Sequence, residues 1–213
     1  MDFTGIIAEY DPFHNGHAAQ IAAVRAAGAQ CIAVCMSSGA VQRGGVPILP
    51  ERVRVQAALA AGADIVIALP APYACATAEQ FAAAGVYLLA ALGCDTLAFG
   101  AETPDAGALL DAARLLQCEE IDDVIRKKLA TGMTYAAARA EAADTLRPGT
   151  GALLRTPNNI LGIEYCKAIL AQHAPLTPFA LPRLGAAHGG GAGEHAGTPM
   201  ASASFLRSLP QPD

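Results

Sequence analysis

Two histidines separated by two residues, His14 and His17, are the side chains of this sequence best suited to chemistry. They lie in the segment GIIAEYDPFHNGH, residues 5–17, where an apolar run leads through a proline-containing turn into a helical pattern. The first turn of a helix has unpaired N–H groups and a partial positive charge, so it attracts phosphate. Both imidazoles can then donate hydrogen bonds to phosphate oxygens that gain negative charge during displacement at phosphorus. Gly16 leaves room for a nucleotide to approach the backbone closely.

Two alternatives to a phosphate site exist for this pair of histidines. The first is that the histidines are only helix-capping or surface residues, which for an isolated HxGH string is about as probable as a functional site. A metal site is the weaker alternative, because the pair has no obvious third ligand, and we therefore predict no protein-held metal. The position of the motif favours the phosphate site, since it follows the first predicted strand at the edge where α/β sheets bind ligands.

Short apolar runs alternate with longer helical patterns along the chain, which predicts an α/β fold with a Rossmann-like parallel sheet. Strands are predicted at residues 3–9, 31–37, 64–70, 95–99 and 176–181, and helices at residues 15–27, 51–61, 78–92 and 158–172. Residues 105–147 predict a helical insert, and the glycine-rich residues 186–199 predict a mobile surface loop within a single domain over residues 1–209.

The composition limits the classes of function. With 213 residues and 53% hydrophobic composition, the chain can bury a sizeable core. The net charge of −5 gives no support for a global electrostatic attraction to nucleic acid, so an RNA contact would need a local basic patch. Residues 126–128 are a candidate, although such a run is more often the solvated face of a helix. Six cysteines without a CxxC pair indicate reduced thiols, and no run has the length of a membrane span; we expect a cytoplasmic protein that does not bind membranes.

Two sequence motifs resemble the HxGH nucleotidyltransferase superfamily. The first is the HxGH segment itself, and ASASFLR, residues 201–207, is similar to the second signature, ISSTxxR. In that superfamily the hydroxyls and the arginine of the second signature bind the ATP phosphates. The resemblance therefore implies that Ser202, Ser204 and Arg207 face the histidines across the nucleotide. Without it, an ordinary serine-capped helix would explain this segment.

Five blocks in order make a closer resemblance, to the tRNA(Met) cytidine acetate ligase family. They are YDPFHNGH, MSSGAVQRG, GADIVIALP, LAFGAE and PNNILGIEY, and they extend over nearly the whole chain. Members of that family activate acetate with ATP as acetyl-adenylate and acetylate N4 of the wobble cytidine of elongator tRNA(Met). The partners implied are thus ATP accompanied by Mg²⁺, acetate and elongator tRNA(Met).

Residue by residue, the resemblance implies catalytic roles for His14 and His17, and a weaker assignment of Gln42 and Arg43 to acetate or tRNA. Gly100 would end a strand where a side chain would collide with the nucleotide, Asn158 offers a donor and an acceptor, and Arg183 supplies a fork for phosphate. The whole implied ATP site is Ile7, Ala8, Glu9, Tyr10, Asp11, Pro12, Phe13, His14, Asn15, Gly16, His17, Ala18, Ala19, Gln20, Gly100, Asn158, Arg183, Ser202, Ser204 and Arg207.

The sequence departs from the family pattern at several points. Asp11 replaces the usual Asn, Ala201 and Ala203 weaken the second signature, and the C-terminal region of the family is expected to be absent. Two other functions therefore remain alternatives. One is a cofactor-synthesis adenylyltransferase, which the QRG and NNILGIEY blocks disfavour, and the other is a non-catalytic nucleotide- or RNA-binding fragment.

Overall fold

The chain folds into a five-stranded parallel sheet with helices on both faces, in a computed structural model that describes residues 1–183, 193–195 and 198–209. The strand order is β3-β2-β1-β4-β5. The strands are β1 (Phe3–Ala8), β2 (Cys31–Ser37), β3 (Ile65–Leu69), β4 (Thr96–Ala101) and β5 (Thr177–Pro182). This architecture confirms the predicted α/β fold class.

The helices connect the strands and include two short ones that the sequence pattern did not predict, α3 and α8. Their bounds are α1 (Asn15–Ala26), α2 (Glu51–Ala60), α3 (Ala71–Ala74), α4 (Ala78–Leu92), α5 (Ala106–Leu115), α6 (Glu119–Leu129), α7 (Tyr135–Leu146), α8 (Thr150–Leu153), α9 (Pro157–Ala171) and α10 (Ala203–Ser208).

Alternating side chains of the central strands form two cores, one on each face of the sheet. Ile6, Val34 and Ala98 pack with residues of α1 and α2 on one face. On the opposite face, neighbours such as Ile7 and Phe99 pack with residues of α4, α5 and α9. The two-residue alternation follows from strand geometry, in which successive side chains point to opposite sides.

Helix α4 approaches β1 closely because both elements have a glycine at the contact. A Cβ atom on Gly5 would lie 2.6 Å from Leu89 Cδ1, and one on Gly85 would lie 2.5 Å from Ile7 Cδ1. Both distances are shorter than atoms tolerate, so these positions need hydrogen as the side chain. The close packing fixes β1, the strand that leads into the HxGH segment.

The predicted bounds of most elements agree with the structure to within one residue, but two expectations differ. Strand β4 continues through Gly100 to Ala101, so Gly100 pairs with Leu181 within the strand and does not end it. Within the expected loop 186–199, the described residues form a strand pair, β6 (Gly193–His195) with β7 (Thr198–Met200), because a hairpin needs only backbone hydrogen bonds. The rest of that loop lies outside the described residues.

The predicted insert, residues 105–147, also contributes to the main core. Leu109 of α5, Ile121 of α6 and Ala142 of α7 all belong to the same buried cluster as Phe99 and residues of α9. All six cysteines are described and none forms a disulfide. No helix in the described part of the chain is long and apolar enough to cross a membrane.

Candidate functional site

A cavity of about 350 Å³ opens between the carboxyl ends of β1 and β4. These two neighbours pair only at Thr4 with Thr96 and at Gly5 with Leu97, so their last residues separate. Strand β1 has β2 as its neighbour on one side and β4 on the other, so the strand order reverses direction at β1. The gap between β1 and β4 is therefore the topological switch point of the sheet. Open α/β sheets bind ligands in such a crevice, and the volume suits a small molecule.

The turn after β1 fixes both histidines by hydrogen bonds to the backbone. His14 is the N-cap of α1, and its Nδ1 accepts a hydrogen bond from Gly16 N at 3.1 Å. His17 Nδ1 accepts from His14 N at 3.3 Å, which completes a reciprocal capping box. The two rings stack with centroids 3.7 Å apart. Because each Nδ1 is an acceptor, the remaining ring proton lies on Nε2, which is left as a donor.

Both imidazoles are neutral at physiological pH. Burial lowers the pKa of His14 to about 4, with further contributions from the charges of Arg183 and Arg207. Burial also holds the pKa of His17 well below its usual value, and the charges of His14 and Arg183 act in the same direction. A neutral imidazole donates one hydrogen bond without requiring a counter-ion, so this pair suits a phosphate that is already bound by arginines.

Three arginines line the same cavity, and two of them, Arg183 and Arg207, lie near the histidines. Arg183 follows β5, lines the cavity, and has no side-chain hydrogen bond or ion pair with another described residue. Arg207 of α10 donates to Ser204 Oγ at 3.2 Å and to the carbonyl oxygen of Asp11. Ser202 begins α10, and its Oγ accepts from Phe205 N at 3.1 Å. The second signature therefore lies against the turn that carries the histidines.

Acidic residues of the turn pair with arginines at one side of the cavity. Asp11 is buried; its Oδ2 lies 2.7 Å from Arg43 Nη2, and its Oδ1 accepts from Ile48 N at 2.7 Å. Arg43 Nη1 also lies 3.6 Å from Glu9 Oε2. These contacts attach the QRG loop to the end of β1. They also engage the carboxylates of Glu9 and Asp11, so neither is a vacant metal ligand.

Apolar residues line the remainder of the cavity, and sequence reasoning missed most of them. Gly100 leaves open space there, since a Cβ atom at this position would have Arg183 Cα as its nearest neighbour, at 4.0 Å. Phe99 precedes Gly100 in LAFGAE, while Leu161 and Tyr165 follow Asn158 at spacings of three and seven on α9, a periodicity that could have identified them. The missed residues are Ala23, Phe99, Leu161, Tyr165, Leu181, Pro182, Ala201 and Ala203.

A buried arginine, Arg54 of α2, was also missed. Its guanidinium donates to four backbone carbonyls: Leu49 at 3.2 Å, Glu9 at 2.8 Å, Ser37 at 2.7 Å and Ser38 at 2.5 Å. These carbonyls belong to the ends of β1 and β2 and to the segment that leads into α2. Arg54 therefore positions the two strand ends beside the cavity.

The structure gathers most of the predicted site residues around this cavity. Those that line it are Ile7, Ala8, Glu9, Tyr10, Asp11, His14, Gly16, His17, Gln20, Arg43, Gly100, Asn158, Arg183, Ser202, Ser204 and Arg207. Those outside its lining are Pro12, Phe13, Asn15, Ala18, Ala19 and Gln42. Phe13 instead packs on the rings of Tyr10 and His17, and the Gln42 N–H donates to Glu9 Oε1. The contact of each residue with a ligand stays a prediction.

A comparison with known proteins identifies the family to which the chain belongs. A family model described as HIGH Nucleotidyl Transferase matches residues 1–212. The chain belongs to this family. It is 44% identical over 195 residues to the tRNA(Met) cytidine acetate ligase of Syntrophotalea carbinolica, covering 88% of this chain and 46% of the relative. A Geobacillus relative of the same name is 41% identical over 187 residues, or 86% of this chain and 46% of the relative.

Solved structures of a relative show the same fold. Thermotoga maritima TmcAL bound with alpha-thio ATP superposes with a TM-score of 0.85 at 28% identity, over 98% of this chain and 50% of that one. Its apo form gives a TM-score of 0.88 at 27% identity, over 98% and 51%. The chain thus spans about half the length of the relatives it matches.

Proposed function

We propose that the cavity binds ATP, and that the chain uses it to activate acetate as acetyl-adenylate for acetylation of N4 of the wobble cytidine of elongator tRNA(Met). The observation that carries the proposal is the convergence of His14, His17, Arg183 and Arg207 on one cavity at the switch point of the sheet. The alpha-thio ATP bound to Thermotoga maritima TmcAL and the names of the curated relatives support it.

In the first step, a carboxylate oxygen of acetate attacks the α-phosphorus of ATP. A new P–O bond forms to acetate, the bond between the α-phosphorus and its bridging oxygen to the β-phosphate breaks, and pyrophosphate leaves with that electron pair. Arg183 and Arg207 attract the triphosphate, and the Nε2–H groups of His14 and His17 stabilise the charge that develops on its oxygens. No protein nucleophile takes part.

In the second step, the N4 amine of cytidine attacks the acetyl carbonyl. The C–N bond forms, AMP leaves as the C–O bond to phosphate breaks, and the amine loses a proton. The contribution of the protein is to position the two reactants and to keep water from the mixed anhydride.

Magnesium enters this proposal only with the nucleotide. It would neutralise phosphate charge while coordinated by the triphosphate. Within residues 1–183 and the other described segments, no group of three His, Cys, Asp or Glu side chains could hold a metal ion. Glu9 and Asp11 line the cavity but are paired with Arg43, so the residues present do not fit a protein-held Mg²⁺.

The test is acetate-dependent release of pyrophosphate from ATP by the purified chain, with and without tRNA(Met). Replacing His17 with Ala removes its Nε2–H donor together with the capping contact to His14 N, and we expect release to fall about 100-fold or more, as for loss of an oxyanion donor. Arg52→Met, an exposed position on α2, is the matched control and should leave the rate unchanged.

Other outcomes of this assay select the alternatives. Release with nicotinate mononucleotide or phosphopantetheine in place of acetate would identify a cofactor-synthesis adenylyltransferase. Binding of ATP by a folded chain without any release would identify a non-catalytic nucleotide-binding module. Either result overturns the ligase proposal.

A further inference from the structure

The start of helix α9 is held by a carboxylate that also engages a residue of the cavity. Glu102, just after β4, accepts hydrogen bonds from Asn159 N at 2.8 Å and from Asn158 N at 3.3 Å. The same carboxylate accepts from the Asn158 side-chain amide, with Nδ2 to Oε1 at 2.6 Å. Glu102 thus joins the LAFGAE and PNNILGIEY blocks through one side chain.

The ionisation of Glu102 determines which way the Asn158 amide points. Burial raises the pKa of Glu102, but the hydrogen bonds from Asn158 and Asn159 outweigh it and lower the pKa below its usual value. The carboxylate is therefore ionised at neutral pH and can only accept hydrogen bonds. Asn158 must face it with its NH₂ group, which leaves the amide oxygen, Oδ1, directed away from Glu102.

Asn158 lines the cavity, and its Oδ1 has no hydrogen-bond partner among the described residues. The same cavity is lined by Phe99, Gly100, Leu161 and Tyr165, which suit an apolar group such as a base and its sugar. His14, His17 and the arginines line the charged remainder. An amide oxygen that faces the ligand favours a ligand that donates a hydrogen bond and disfavours one that accepts.

We propose that Glu102 is a positioning residue that holds Asn158 as a hydrogen-bond acceptor for a donor group on the nucleoside of ATP. The inference rests on the proposed function, since it takes ATP to be the ligand. Two parts of the nucleoside can donate in this way, the 6-amino group of adenine and the ribose hydroxyls. The Asn158 oxygen therefore requires an N–H or O–H donor on the ligand. The experiment below identifies whether the adenine amino group or a ribose hydroxyl is that donor.

The experiment measures dissociation constants of the purified chain for ATP, ITP, 2′-deoxy-ATP and 3′-deoxy-ATP by calorimetry. ITP has an oxygen in place of the 6-amino group, and each deoxy analogue lacks one ribose hydroxyl. We expect at least one analogue to bind about tenfold more weakly than ATP, as for loss of one hydrogen bond to an acceptor in the site. The analogue that is disfavoured identifies the donor.

The variants then test the role of Glu102. In Glu102→Gln, the glutamine amide can either donate to or accept from the Asn158 amide, so the Asn158 side chain can adopt both orientations. The preference for ATP, which is the ratio of the dissociation constants of the disfavoured analogue and ATP, should therefore decrease. Asn158→Ala should abolish the preference. Asp105→Ala removes the N-cap contact of Asp105 with Ala108 N on the neighbouring helix α5, so it matches the loss of a helix cap away from the cavity and should leave the preference unchanged.

The ratio of dissociation constants separates positioning from mere stability. A structural role alone would weaken all four nucleotides equally in Glu102→Gln and lower the melting temperature as Asp105→Ala does. If wild-type chain binds all analogues within twofold of ATP, or if the preference is the same in Glu102→Gln, the inference is overturned. Failure of the wild-type chain to bind ATP at all would overturn the proposed function instead.

Discussion

Replacing the buried Arg54 with Met should destabilise the fold and loosen the carboxyl edge of the sheet. The side chain is 1% exposed, and its guanidinium makes four of its five possible hydrogen bonds, all to backbone carbonyls. Methionine has a similar length but no donor, so Glu9, Ser37, Ser38 and Leu49 would lose this partner together. No other side chain in the described contacts replaces it.

The expected loss can be worked from these contacts. A buried acceptor left without a donor costs about 1–3 kcal/mol, and the bond to Ser37 is fully buried while the other three are partly buried. Removing the buried charge itself returns some desolvation energy. We therefore expect a net loss of about 3 kcal/mol, which for a chain of this size lowers the melting temperature by roughly 6–12 °C.

The assay is thermal and urea unfolding of Arg54→Met beside two other variants. Arg52→Met changes an exposed arginine two residues earlier on the same helix and should shift stability by less than about 0.5 kcal/mol. Arg54→Lys keeps the charge but supplies at most three hydrogen bonds from one point, so it should lie between wild type and Arg54→Met. A melting temperature of Arg54→Met within 2 °C of wild type would correspond to a loss of stability of only about 0.5–1 kcal/mol. That result would show that these hydrogen bonds do not have the stabilising role given to them here.

Three further predictions concern the site and its supports. A Cβ on Gly162 would lie 2.7 Å from Phe99 Cε2, and Phe99 lines the cavity. Gly162→Ala should therefore lower the free energy of unfolding in urea by about 1–3 kcal/mol and, by displacing the Phe99 ring, weaken ATP binding. An unchanged free energy of unfolding together with unchanged ATP binding would contradict this prediction. Glu164 is buried between Arg139 and Lys167, so Glu164→Leu should lower the free energy of unfolding by about 3 kcal/mol. Glu79 pairs with Lys167 at the exposed end of this network, so Glu79→Ala should lower it by less than about 1 kcal/mol. Equal losses of stability in the two variants would refute the distinction between buried and exposed pairs. Since the pKa of His14 is lowered to about 4 in the folded state from 6.5, the unfolded chain binds more protons between these values, and stability should fall as pH falls from 6.5 toward 4. Melting curves of His14→Gln should show a smaller decrease over this range than wild type or the exposed control His173→Gln, and identical decreases would count against the assignment.

Local pattern was enough to predict the sheet and the order of its elements. The apolar run CIAVCMS has the length and the β-branched content of a buried strand, and the structure has β2 at those residues. Likewise, Thr77 before the apolar run and Gly93 after it fix α4 at the predicted residues 78–92. Short elements such as α8 escaped prediction because four residues carry too little periodicity to detect.

The site divides in the same way. The HxGH string predicted that His14 and His17 lie together at the site, since their placement depends on a cap that is local in sequence. Arg54 and Glu102 gave no such signal, because an arginine within a helix and a glutamate after a strand are ordinarily exposed. Apart from Leu49, their partners are 16 to 57 residues away, so only the folded chain reveals which groups these side chains bind.

The sequence by itself determined the strands, the helices and the turn that carries the histidines, because backbone propensity and capping act over a few neighbouring residues. Tertiary structure alone decided that β1 and β4 separate after Gly5 and Leu97, which creates the cavity. It also decided that Arg207, 196 residues from Asp11, returns to the same turn. The pKa values of the two histidines, the burial of Arg54 and the direction of the Asn158 amide also depend on long-range contacts, because residues distant in sequence surround each of these groups only in the folded chain.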